Sequence, residues 1–359
     1  MTAHAQEGKG TTVADSSNPS SESSPDVRPR AVFAMDPAHL PALFPPDLIS
    51  RLSELTRLDP EVCVEDFADE QHAAILAEAE ILITGWGMPP LDETALARMP
   101  KLRAVLHSAG TVRHLITEAA WDRGLLVTSA AQANAQPVAE FTLAAIIFAA
   151  KDVFAVREQY RTEHAHPTPD QTARMGTYRR TLGVIGASRV GRSLLELLRP
   201  LDLDVVLSDP YLDAAQAAEL GARLADLDEL LATSDIVTLH APDLPSTRHL
   251  VDRRRLALIP DGGCFINTAR GAVVDERALT EELVSGRISA ILDVTEHEPL
   301  AADSPLYRLP NVFLTPHIAG SIGTERARLG AAVVAEVERY CAGAEPLYPV
   351  RQADLARIA

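Results

Sequence analysis

Three side chains late in the chain are of the types that grip carboxylates and move protons. Arg270 follows the apolar run Cys264–Asn267 in INTARG, Glu298 lies in the loop of ILDVTEHEP, and His317 follows Val312–Leu314 in VFLTPHIAG. An arginine can hold a carboxylate through two parallel hydrogen bonds. A histidine can give or take a proton near neutral pH. A neighbouring carboxylate orients such a ring and favours its charged form. Taken singly, each also reads as a surface arginine, a solvated loop acid or a capping histidine.

A second constellation lies upstream, in TLGVIGASRVGRSLLELLRP. An apolar strand runs into Gly186-Ala-Ser-Arg-Val-Gly191. A helix follows with Val190, Leu194, Leu195, Leu197 and Leu198 on one face, ended by Pro200. This is the strand–turn–helix context of a dinucleotide-binding fingerprint. The helix N-terminus offers free N–H groups and partial positive charge to a pyrophosphate. Gly186 permits the tight turn and Gly191 permits close helix–strand packing. Ser188 stands where the fingerprint has its middle glycine. Its β-carbon limits how closely the backbone approaches a phosphate, while its hydroxyl can donate. The glycine pattern alone equally describes a structural β–α turn. Asp209 ends the next strand, VVLSDPY, eighteen residues beyond Gly191. A carboxylate there can accept from both ribose hydroxyls and would repel a 2′-phosphate, favouring NAD over NADP. Read alone, it is a turn-forming Asp-Pro.

These residues need a scaffold, and the apolar pattern supplies one. Short β-branched runs at Ala31–Met35, Ile81–Thr84, Leu102–Leu106 and Leu125–Thr128 alternate with helical patterns at Pro46–Leu55, Glu70–Ala79, Leu91–Ala97 and Ile116–Arg123. Gly124 sits at a helix C-cap position. Residues 137–159, without internal Gly or Pro after Pro137, predict one long helix with that proline in its first turn. A polar loop, EHAHPTPDQTARMG, follows. A second alternating series has runs at Leu182–Ile185, Leu203–Leu207, Ile236–Leu239, Cys264–Asn267, Ile288–Val294 and Val312–Leu314. The last helix is expected at Gly323–Cys341, before a short Pro-containing tail. Such alternation predicts an α/β fold with parallel sheets. Open sheets of this kind bind ligands beyond the carboxyl ends of their strands, where Arg270, Glu298 and His317 would meet.

Composition bounds the rest. With 359 residues, length alone suggests about two domains. Residues 1–30 are rich in Ser, Pro, Gly and charge, and predict a disordered tail. The formal net charge of −17 argues against nucleic acid and anionic membranes as partners. Cys63, Cys264 and Cys341 are widely spaced and form no metal-ligand pattern, so no metal is expected and a reducing compartment is. The N-terminus lacks an apolar signal segment, and the apolar run Phe141–Ala150 is too short to span a bilayer. The cytoplasm is the expected location.

The segments LGVIGASRVGR, SDPY, SDIVTLHAP, INTARGAVVDERAL, SGRISAILDV, EHEPL and FLTPHIAGS, in this order and spacing, resemble the D-isomer-specific 2-hydroxyacid dehydrogenases. HSAGTVRHL and NAQPVAEFTLA resemble that family's substrate-loop and hinge segments. The likeness runs from roughly Ile81 to Cys341. It implies two Rossmann-like, doubly wound parallel-sheet domains: a flavodoxin-like substrate domain (31–136 plus 321–345) interrupted by an NAD-binding domain (137–320), with 346–359 a C-terminal tail. It also implies a homodimer.

By the same resemblance, Arg270 would hold the substrate carboxylate and carbonyl oxygen, His317 would be the acid/base and Glu298 its orienting partner. Backbone N–H groups around Ser108, Ala109, Gly110 and Thr111 would hold the substrate carboxylate. The turn residues Gly186, Ser188 and Gly191 would cradle the cofactor, with Arg189 and Val190 at its pyrophosphate and Asp209 at its ribose. Thr268, Ala269, Asp293, Arg270, His317 and Gly320 would border the nicotinamide side. His240 reads as structural, with Ala241 and Pro242 touching cofactor through backbone. His297 reads as a loop residue. Related formate dehydrogenases carry Gln where Glu298 stands, which favours the hydroxyacid branch. The implied activity is hydride transfer between NAD and a small D-2-hydroxy acid or its 2-oxo acid, of glyoxylate or hydroxypyruvate type. The alternative is an NAD-sensing co-repressor on the same fold. Side-chain discrimination is expected in the first domain, in TGWGMPP with Trp86 and Met88, where Trp86 reads equally as a pocket wall or as a buried core residue. No phosphate-binding cluster is evident in the sequence, and no regulatory domain is expected after Cys341, so a phosphoglycerate substrate is less favoured.

Overall fold

The computed structural model describes residues 27–356. The expected N-terminal tail lies outside these except for its last four residues, where Arg28 already donates to the Ser53 carbonyl at 2.6 Å.

Two parallel sheets organise the chain, as the alternating pattern required. The first has five strands: β1 (Arg30–Ala34), β2 (Arg57–Val64), β3 (Ile81–Thr84), β4 (Ala104–His107) and β5 (Leu126–Ser129), in the order β2-β1-β3-β4-β5. This is the flavodoxin-like order. The second has seven: β6 (Arg180–Ile185), β7 (Leu203–Ser208), β8 (Arg223–Leu224), β9 (Ile236–Leu239), β10 (Cys264–Asn267), β11 (Ser289–Leu292) and β12 (Val312–Leu314), in the order β12-β11-β10-β9-β6-β7-β8. Its order reverses between β6 and β9, the switch point at which such sheets bind dinucleotides.

The central strands are buried on both faces, so their apolar runs are unbroken and their limits follow from sequence. Two edge strands escape that signal. β2 reads RLDPEVCV, with Pro60 and three charged residues, and only Val64 is fully buried. A proline is tolerated at an edge because no neighbour needs its missing N–H. β8 has only two residues.

The expected long helix is built differently. It begins at Ala131, six residues before the expected start, and runs to Ala150 with Pro137 inside it and buried. The chain then breaks at Asp152, in left-handed conformation (φ 49°), and a separate helix spans Val153–Glu163. Asp is among the few non-glycine residues that tolerate this conformation. By length and composition Ala131–Ala150 could cross a membrane. Here Ala139, Ala145, Ile146 and Ala150 enter the second sheet's core, shared with Leu194, Leu195 and Leu198.

The chain crosses between the sheets twice. The first crossing is the start of that helix and the second is the loop after His317. They are joined: the Ser321 N–H donates to Asn134 Oδ1 at 2.9 Å. The helix Arg326–Cys341 then packs Leu329, Val333, Val334 and Val337 into the first sheet's core. Its approach is so close that a β-carbon on Gly330 would lie 1.8 Å from the Leu43 carbonyl oxygen.

The C-terminal segment, expected only as a tail, docks. Glu336 is buried and accepts the backbone N–H groups of Leu347 (3.1 Å) and Tyr348 (2.7 Å). Val350 donates to the Val127 carbonyl at 2.8 Å and is itself buried in the first core. A buried carboxylate needs such donors to offset its lost hydration.

Candidate active site

The glycine turn joins β6 to the helix Arg189–Leu198. Gly186 has φ +93°, and a β-carbon there would lie 2.9 Å from the Ala241 nitrogen. A β-carbon on Gly191 would lie 2.2 Å from the Gly186 carbonyl oxygen. Neither position accepts another residue without moving backbone. Ser188 is the helix N-cap, and its hydroxyl accepts the Gly191 N–H at 3.3 Å. The departure from glycine thus stabilises the helix start. Asp209 reaches back to the same turn, accepting the Ala187 N–H through Oδ2 (2.7 Å) and the Tyr211 N–H through Oδ1 (2.9 Å). Each oxygen keeps a lone pair for a further donor. The N–H groups of Arg189 and Val190 have no acceptor among the described residues, as expected in a first helical turn. The Arg189 guanidinium is held below its usual pKa by burial, with Asp354 of the C-terminal segment the nearby acid that opposes this.

His240 follows β9 at the switch point. Its Nε2 lies 3.0 Å from Thr238 Oγ1, its Nδ1 has no partner among the described residues, and burial lowers its pKa to about 3. It is a neutral ring packed under the turn.

The other expected residues sit past the carboxyl ends of β10, β11 and β12. After β10, Asn267 clamps its own loop by accepting from the Ala269 N–H (3.0 Å) and donating to the Arg270 carbonyl (3.1 Å). Thr268 is buried with its hydroxyl 2.8 Å from that of Thr142. Arg270 is exposed, and its Nη1 donates to the Ala269 carbonyl at 2.7 Å. Gly271 lets this loop lie directly on the next one: a β-carbon there would lie 2.0 Å from the Thr295 carbonyl carbon.

His317 adopts φ 55°, and its Nδ1 lies 2.7 Å from Glu298 Oε2. The opposite ring nitrogen, Nε2, is the one left to act. The loop carrying His317 is fixed by buried Asp293. Its carboxylate accepts the Ile318 N–H (2.8 Å), the Ala319 N–H (2.8 Å) and the Thr315 hydroxyl (2.6 Å), while its carbonyl accepts the His317 N–H (2.8 Å). Beside the pair is a cavity of about 580 Å³, lined partly by Pro299, Leu300, Leu306, Tyr307 and Pro316. His297 gives its carbonyl to the Thr295 hydroxyl and is otherwise a loop residue.

On the first sheet, one expected donor is corrected. Ser108 is fully buried, and both its N–H (2.7 Å) and its hydroxyl (2.6 Å) donate to the Thr84 carbonyl. It has no donor left for a ligand. The N–H groups of Ala109, Gly110 and Thr111 have no acceptor among the described residues. Met88 is buried in the first core, and Trp86 is half-buried at the carboxyl end of β3. Two contributors lie in segments that the resemblance marks, but were not singled out: Asn134, first residue of the hinge-like NAQPVAEFTLA, ties the crossings, and Gly271, in INTARGAVVDERAL, seats one loop on another. Among the described residues no cluster of His, Cys, Asp or Glu could hold a metal.

Known proteins match this arrangement. The sequence model for the NAD binding domain of D-isomer specific 2-hydroxyacid dehydrogenases matches residues 143–319. A glyoxylate/hydroxypyruvate reductase B of Klebsiella pneumoniae is 33% identical over 293 residues, covering 81% of this chain and 90% of the relative. The chain belongs to the D-isomer-specific 2-hydroxyacid dehydrogenase family. A D-3-phosphoglycerate dehydrogenase of Mycobacterium tuberculosis is 35% identical over 273 residues, 75% of this chain and 51% of the relative. The chain thus spans about half the length of the phosphoglycerate dehydrogenases it matches. The D-lactate dehydrogenase of Aquifex aeolicus, solved with NAD and lactic acid, superposes with TM-score 0.66 at 26% identity, covering 87% of this chain and 96% of the other. As a family member this chain carries an NAD-binding domain, and its two close-packed turn glycines and the first-turn N–H groups without acceptors among the described residues suit a pyrophosphate.

Proposed function

We propose that the protein is an NAD-dependent D-2-hydroxyacid dehydrogenase interconverting a 2-oxo acid and its D-2-hydroxy acid. The observation that carries this is the His317–Glu298 pair, 2.7 Å apart, past the same sheet edge as the glycine turn. Bound NADH supplies the hydride for the carbonyl carbon. Glu298 accepts from Nδ1 and so presents Nε2 of His317 to the substrate, where it gives the carbonyl oxygen its proton and takes it back in the reverse direction. Arg270 turns from the Ala269 carbonyl to the substrate, gripping carboxylate and carbonyl oxygen. The N–H groups of Ala109, Gly110 and Thr111 hold the carboxylate from the other side.

In this reading the turn 186–191 and the N–H groups of Arg189 and Val190 hold the pyrophosphate. Asp209 takes the ribose hydroxyls and favours NAD over NADP. Ala241 and Pro242 line the cleft through backbone. Thr268, Ala269, Asp293 and Gly320 border the nicotinamide. The substrate domain is 31–136 with 321–345, and the NAD-binding domain is 137–320. Two chains pair through the NAD-binding domains, and light scattering at the mass of one chain would overturn that. A cytoplasmic setting accords with three free thiols among the described residues.

The test is steady-state NADH oxidation with a panel of 2-oxo acids. Turnover of at least one, abolished by His317→Ala, is expected. Tight NADH binding with no turnover of any would leave an NAD-sensing regulator in its place.

A further inference from the structure

One cation in the first half of the cleft has no assigned task. Arg326 opens the last helix, nine residues after His317. Its Nε is shielded from solvent and has no acceptor among the described residues. Its Nη1 makes a long contact, 3.4 Å, to Nδ1 of His39. Its guanidinium carbon lies 5.4 Å from the centre of the Trp86 ring, and the His39 and Trp86 rings meet edge to face at 5.4 Å. Among the described residues no carboxylate pairs with Arg326. Two acids that neighbour the cluster's residues in sequence are engaged by backbone: Asp36 accepts the Ala38 N–H and Glu325 accepts the Ile322 N–H.

The location matters as much as the chemistry. Trp86 follows β3 and His39 follows β1, so both lie at the carboxyl end of the first sheet. Gly85, beside Trp86, faces Ser108: a β-carbon on it would be 3.0 Å from the Ser108 hydroxyl. The cluster therefore adjoins the loop Ser108–Thr111. Arg270 stands at the carboxyl end of the other sheet. A guanidinium has five N–H donors in a rigid fork. Stacking one face on Trp86 fixes the plane of that fork and leaves its edge for an oxyanion. A shielded donor with no acceptor is costly unless a ligand completes it.

We propose that Arg326, His39 and Trp86 form a subsite for a second anionic group, so that the substrate is a 2-oxo or 2-hydroxy acid with a carboxylate or phosphate at its far end. This rests on the dehydrogenase reading above and adds the substrate class to it. The first anion and the reacting carbonyl are held by Arg270 and the Ala109–Thr111 donors, and the far anion by the Arg326 fork. No motif announces this, because Arg326 and His39 are 287 positions apart in sequence.

The experiment compares kcat/KM with NADH for pyruvate, oxaloacetate, 2-oxoglutarate and 3-phosphohydroxypyruvate, in the wild type and in Arg326→Gln. For the wild type, oxaloacetate, 2-oxoglutarate or phosphohydroxypyruvate should exceed pyruvate at least tenfold, and which one does so distinguishes carboxylate from phosphate. In Arg326→Gln the ratio of that substrate to pyruvate should fall about 30-fold, through KM, as loss of a charge-assisted pair implies. Arg326→Lys should restore part of the ratio, since it keeps the charge without the fork. A wild type that prefers pyruvate, or an unchanged ratio in Arg326→Gln, overturns the subsite. If no 2-oxo acid is turned over at all, the dehydrogenase reading fails instead, and the subsite is read by calorimetry with NAD present. D-malate binding tighter than D-lactate, with the difference lost in Arg326→Gln, supports it; equal binding of the two overturns it.

Discussion

Nδ1 of His317 and Oε2 of Glu298 lie 2.7 Å apart, and the histidine that makes this contact has a left-handed backbone. The pair is held from behind by Asp293, which receives three donors from the loop on which His317 stands. His317→Ala should lower kcat by roughly 10²-fold or more. Glu298→Gln removes the acceptor charge but keeps the volume, and about a tenfold loss is expected. Asp293→Ala should lower kcat as well, although Asp293 does not touch His317's ring. Stopped-flow and steady-state NADH oxidation check all three, and near-normal rates in His317→Ala would show the proton donor to be elsewhere.

Asp209 holds the glycine turn and, in the proposed function, also takes the ribose, and the two roles separate by substitution. Asp209→Ala should weaken preference for NADH over NADPH and loosen the turn that Oδ2 holds through Ala187. Asp209→Asn can still accept the Ala187 N–H, so it should keep more of the NADH affinity than alanine does. The ratio of KM values for the two cofactors is the measurement; an unchanged ratio in Asp209→Ala removes this residue from the ribose site.

The turn itself yields a contrast. Ser188→Ala removes an N-cap and should cost about 1 kcal/mol or less, given the 3.3 Å bond, in chemical denaturation. Ser188→Gly should cost only a few tenths of a kcal/mol. Gly191→Ala must place a β-carbon against the Gly186 carbonyl, so it should abolish measurable NADH binding by fluorescence titration.

Two buried histidines set an acid limit. Burial lowers His107 to about 4 and His240 to about 3, from an ordinary value of 6.5. Both rings are neutral in the folded protein at pH 7. Below pH 6.5 the unfolded chain binds protons that the folded chain refuses, so stability falls as pH drops, until each folded pKa is reached. Each ring contributes a loss of up to about 1.4 kcal/mol per pH unit in that interval. Urea midpoints between pH 7 and pH 4.5 should show this slope, and His107→Gln should lessen it.

Much of this was legible in the sequence because the central strands are buried on both faces. Ile81–Thr84, Ile236–Leu239 and Cys264–Asn267 fall where their apolar runs fall. Arg270 and His317 stand out because each lies three residues past an apolar run, and Glu298 because it lies in the loop after another. What escaped depends on contacts distant in sequence. β2 is polar because only part of it is covered. Pro137 resembles a helix start, yet the helix runs through it because its flanks are packed against two cores. Ser108 has a substrate-loop sequence, but its donors turn inward to Thr84. Arg326 and His39 come together only when the last helix returns to the first sheet.

The Asn134–Ser321 hydrogen bond gives the two crossings a common axis. Two linkers set far apart would let the halves slide, twist and bend independently. Linkers stapled side by side leave chiefly one degree of freedom, rotation about the line they share. Closure on a substrate would then bring Trp86 and the Ala109–Thr111 loop toward His317 along one arc, with little lateral error. The geometry of the encounter is thus set by an amide and a backbone N–H, neither of which need take any part in the chemistry.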